Sequence, residues 1–146
     1  MKRRAAVRAL FALTLAFPSI ALADDFVVLR HRTNPVSTLD ATDLHRLFTG
    51  RTKQWEGGQV VQAIVMISET APEMLFLAGL FGMSTRDLLS RIQQEVFRGE
   101  MRRPLVVQSS RECVEAVRAN PGGLCVAEVS VLAGLPADVV AVRVTR

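Results

Sequence analysis

The chain has 146 residues, 49% of them hydrophobic and 22% charged, with two Cys, one Trp and no Tyr. That length fits one domain, since single cores take ~100–200 residues, and the apolar content, with a mean hydropathy of +0.25, excludes a disordered or low-complexity chain. The net charge of +4 does not make a nucleic-acid binder: four of the 18 basic residues (Lys2, Arg3, Arg4, Arg8) and none of the 14 acids precede Asp24, so 14 of each lie from Asp24 onward. A neutral body has no surplus cations with which to release counterions from a phosphate backbone.

Residues 1–23 read as a secretory signal peptide. Lys2-Arg3-Arg4 form a basic start, Ala9 to Phe17 an apolar stretch too short to span hydrocarbon as a helix, and Ala21-Leu22-Ala23 a small-residue cleavage site. No Cys lies near the cut, so no lipid anchor is expected. No second long apolar run follows. The mature chain, residues 24–146, is expected to be periplasmic, without a membrane span, and cleaved after Ala23.

Phe26 to Arg30 predicts a first strand, closed by a loop that includes Asn34-Pro35. Thr38 or Asp40 can cap a helix over 41–48, which Gly50 ends. Gln59 to Ile67 is a near-continuous apolar run, as a strand covered on both faces requires. Pro72 suits a first helical turn, and two helices are expected over 73–81 and 85–98, the second capped by Ser84. A strand over 104–108 follows. Ser109 with Glu112 makes a capping box for a helix over 110–119. Asn120-Pro121-Gly122-Gly123 turns the chain into a strand over 124–128, and 139–144 closes it. Strands alternating with helices predict a single three-layer α/β domain with a mostly parallel sheet.

The order of these landmarks resembles the phosphate-type periplasmic solute-binding proteins of ABC transporters. Phe48, Gly50, Trp55 and Gly58 stand where that family has a short helix ending in Phe-x-Gly, then a Trp and a Gly before a strand. Phe97-Arg98-Gly99 before Pro104, and Pro121-Gly122-Gly123 before a strand, are similar to two further family patterns. The resemblance covers most of residues 26–128 and implies one lobe of the two-lobed type 2 binding fold. It also marks a departure. Phosphate binders carry an Arg and, four residues on, Ser-Gly-Thr; those places here hold Met66 and Thr70-Ala71-Pro72, with Glu69 and Glu73 alongside.

In open α/β sheets ligands sit beyond the carboxyl ends of the strands. Three polar loops leave strands here, at 31–38, 68–72 and 109–111, presenting Asn34, Ser37, Thr38, Ser68, Thr70, Ser109, Ser110 and Arg111 as ligand-binding candidates. The same hydroxyls can serve as helix caps with no ligand at all. His31 and His45 lie on different elements with no carboxylate or Cys at ligand spacing, so no metal or cofactor is expected. Cys113 and Cys125 lack the spacing of a redox motif. In an oxidising compartment the two can pair, since the helix from 113 and the extended return to 125 cover similar rise; otherwise they serve as two small apolar residues.

No nucleophile–base pair or carboxylate dyad emerges, so no catalysis is expected. Two functions remain. One is a periplasmic solute-binding module holding a small solute, such as an anion, weakly above the strand ends. The other is an interaction or sensor accessory that keeps the fold without high-affinity phosphate binding and meets a periplasmic or membrane protein.

Overall fold

The computed structural model describes residues 25–145. The leader expected over 1–23 lies outside the described residues. In chain order the elements are β1 (Phe26–His31), β2 (Leu39–Asp40), α1 (Ala41–Phe48), β3 (Gln62–Val65), α2 (Pro72–Leu80), α3 (Thr85–Phe97), β4 (Leu105–Val106), α4 (Ser110–Ala119), β5 (Gly123–Glu128), a 3-10 turn (Val129–Gly134), β6 (Val139–Val142) and β7 (Val144–Thr145).

Val27, Val28 and Leu29 are all buried, as are the four residues of β3 and Leu124 to Ala127 of β5. Successive strand residues point to opposite faces, so consecutive burial means that both faces are covered. The five-stranded sheet has the order β4-β3-β5-β1-β6. β3 is parallel to β4 and β5, whereas β1 is antiparallel to both β5 and β6. Four strands therefore run one way and β1 alone is reversed. This is the mixed α/β fold with a mostly parallel sheet and flanking helices. β2 and β7 form a separate parallel pair.

The helices begin where local chemistry permits. Asp40, not Thr38, caps α1: its side chain accepts from Asp43 N at 2.7 Å, and the Asp43 carboxylate accepts from Asp40 N at 3.0 Å. The helix then buries Leu44, Leu47 and Phe48. α2 starts at Pro72 with no side-chain cap, its first turn shaped by the proline ring. Ser84 caps α3 through Asp87 N. Ser109 caps α4 by accepting from Glu112 N at 3.2 Å, but the expected reciprocal bond shifts by one residue: the Glu112 carboxylate takes Gln108 N at 2.7 Å.

Two expected strands are shortened by their neighbours. Gln54 bridges Val60, with Gly57 and Gly58 at positive φ in the turn, so residues 54–60 double back and β3 begins only at Gln62. Gly122 fixes the start of β5 beside that turn. Its carbonyl accepts from Trp55 Nε1 and from Gln62 N, each at 2.9 Å, and a Cβ at this position would strike the Val60 carbonyl. Val144 leaves the line of β6 to pair with Leu39. On the far side of the turn, Cys113 of α4 and Cys125 of β5 stand at disulfide distance, both fully buried with Cα atoms 5.8 Å apart.

Candidate functional site

The carboxyl ends of β3, β4 and β5 open onto one edge of the sheet, where α2 and α4 begin. Helix N-termini carry backbone N–H groups without intrahelical partners, which favours negative charge there. The charge in place belongs to the protein. Glu73, in the first turn of α2, is buried, and its carboxylate accepts from the Ser110 hydroxyl at 2.7 Å. Ser110 is the first residue of α4 and also buried; its Oγ in turn accepts from Glu128 N at 2.9 Å, at the end of β5. One hydroxyl thus uses its donor and an acceptor position to tie two helix starts to a strand end. No basic side chain pairs with Glu73 among the described residues. Beside it Phe26 stacks on Phe76, ring centroids 4.9 Å apart.

The neighbouring loop spends its polar groups on itself. Ser68 Oγ and Thr70 Oγ1 lie 3.0 Å apart, and Thr70 N donates to Ser68 Oγ. Glu69 pairs with Arg86 at 3.4 Å, and its carbonyl accepts from Thr85 Oγ1. Met66, where the resemblance puts an arginine in phosphate binders, is buried in the core. Ser109 is engaged as a cap. Arg111 is exposed and borders a groove of about 460 Å³ with Glu115, Arg118 and Val131, on the side of α4 that faces the 3-10 turn.

The third loop does not join them. Because β1 is reversed, residues 31–38 leave the sheet at the opposite edge, beside the starts of β5 and β6: Arg30 pairs with Leu124, His31 with Val139, and Arg32 N donates to Asp138 O. Asn34 is buried as a turn former, accepting from Val36 N at 3.1 Å, while Ser37 and Thr38 are exposed on the same far edge. Of the three polar loops, two therefore stand at one edge of the sheet and one at the other.

That far corner has its own chemistry. Arg30 donates to the carbonyls of His31 and Asn34, at 3.2 and 2.6 Å, and burial pulls its guanidinium below the usual arginine value. Gln59 donates to Thr33 Oγ1. Arg30 Nε and Asn34 Nδ2, two donors, and Gln59 Oε1, an acceptor, are buried without a protein partner among the described residues. His31 bonds Thr33 through Nδ1, and His45 packs edge-on against Phe81. Glu73, which sequence reasoning set beside the loop as an opposing charge, is missing from the ligand-binding candidates. Its signal was a carboxylate in a helical first turn between Pro72 and Met74, on the face that α2 buries.

No protein-family model and no curated protein matches this chain. Among solved structures it is similar to an ABC-type phosphate transport receptor from Vibrio cholerae, with a TM-score of 0.60 and 14% sequence identity over 82% of this chain and 46% of the receptor. The chain thus spans about half the length of that receptor. The likeness establishes the fold: a mixed α/β unit resembling a lobe of a periplasmic binding protein.

Proposed function

We propose that this protein is an exported, non-catalytic interaction module that keeps the receptor-lobe fold and takes no phosphate with high affinity. The observation that carries this reading is the Glu73–Ser110 bond at 2.7 Å, which puts an internal carboxylate at the helix starts where a bound anion would gain most. The missing arginine at position 66 removes a charge-assisted pair worth roughly 1.5–3 kcal/mol. Glu69 and Glu73 each oppose an incoming anion by on the order of 1 kcal/mol. A solute site closed by three loops loses its support with loop 31–38 at the other edge of the sheet.

Calorimetric titration of the mature protein with inorganic phosphate tests this. No affinity tighter than about 0.1 mM is expected. Micromolar binding by the wild type would overturn the reading. Glu73→Gln should show a measurable gain over the wild type, because it removes the internal charge while leaving an acceptor for Ser110.

A further inference from the structure

The far side of the sheet carries a feature that the crevice does not explain. β4 is an edge strand, and its residues Leu105 and Val106 are 37% and 53% exposed, beside Ile67 at 61%. Val107 N donates to Val65 O at 3.0 Å, so by strand alternation Val106 turns its own N–H and C=O to the open edge. Next to it α3 and β3 enclose a groove of about 420 Å³ whose only polar lining residues are Gln93 and Arg103.

The charge around this edge is one-sided. Between positions 86 and 106 five arginines (86, 91, 98, 102 and 103) face three acids, Asp87, Glu95 and Glu100, a surplus of two in a mature chain whose total charge is zero. Glu95 lies near Arg91 and Arg98, and Glu100 pairs with Lys53. Arg102 and Arg103 are exposed and carry no ion pair among the described residues.

We infer that β4 receives an extended segment of a partner protein, one that alternates apolar residues and bears acidic residues against Arg102 and Arg103. Backbone pairing at the edge supplies affinity, the groove takes alternate apolar side chains, and the arginines select the charge. A second copy would bring the same arginines to the same edge. The chain's own residues 1–23 hold four basic residues and no acid, which the arginines repel. A lipid surface has no extended backbone whose N–H and C=O groups could pair with the open edge in register. This inference rests on the interaction-module reading.

The test uses the mature chain, its amide spectrum and two synthetic peptides, EEVTVTV and KKVTVTV. The acidic peptide should give saturable shifts centred on Ile67 and Val106 and bind about tenfold tighter than the basic one. The double variant Arg102→Glu/Arg103→Glu should reverse that preference. Val106→Pro, which removes an outward N–H and leaves the bonds to β3 in place, should abolish binding with an unchanged melting temperature. Equal binding of both peptides, or none of EEVTVTV up to about 1 mM, overturns the inference. So does concentration-dependent dimerisation through β4, or capture by anionic vesicles that Arg102→Glu/Arg103→Glu abolishes. Micromolar phosphate binding would sink the module reading and leave the peptide result standing. Absence of both phosphate and peptide binding sinks only the assignment of β4.

Discussion

The Glu73 carboxylate and the Ser110 hydroxyl meet at 2.7 Å, joining the first turns of α2 and α4 across the carboxyl edge of the sheet. Both side chains are buried, and the same hydroxyl holds Glu128 N at the end of β5. Ser110→Ala strips a partner from Glu73 and another from Glu128 N at once. A buried group left unsatisfied costs ~1–3 kcal/mol, so the variant should unfold at lower urea with an unchanged slope. Ser110→Thr, which keeps the hydroxyl, should lose less. An alanine variant as stable as the wild type would show that the bond is dispensable.

Cys113 and Cys125 are expected to form a disulfide in the exported protein. Closing a loop with a sequence separation of 12 stabilises by roughly 2–3 kcal/mol on the chain-entropy model. Iodoacetamide in denaturant without reductant should label neither Cys, and reductant should lower the melting temperature. Two alkylated thiols in protein recovered from the periplasm would refute the pairing.

His45 should make stability depend on pH. Burial pushes its imidazole below the ordinary 6.5, and Arg91 and Arg51 push the same way. The folded state therefore disfavours the proton more than the unfolded chain does. The stabilisation is complete above pH 6.5 and declines as pH falls through the lower folded value. His45→Gln should flatten that decline. An NMR titration of His45 with a midpoint at or above 6.5 would contradict it.

Export is expected to end with cleavage after Ala23. Mass spectrometry of periplasmic protein should find Asp24 at the N-terminus. A cytoplasmic product retaining Met1 would exclude the signal peptide.

Sequence by itself determined what depends on neighbours a few residues apart. Ser84 and Ser109 cap the helices they precede, Pro72 opens α2, and the apolar runs at 26–30 and 124–128 became covered strands. Those signals are local hydrogen bonds and side-chain periods, which the chain carries wherever it folds. Only the tertiary structure decided that β1 runs against its neighbours, because an apolar run has the same pattern read in either direction. That reversal sent Asn34, Ser37 and Thr38 to the edge opposite Ser68, Thr70, Ser109 and Ser110. It also decided the fate of Glu73. A carboxylate in a first helical turn is ordinarily a solvated favour to the helix dipole, and nothing near it in sequence foretells Ser110, 37 positions away. Where polar groups pair across such distances, the partner is chosen by how the helices pack on the sheet.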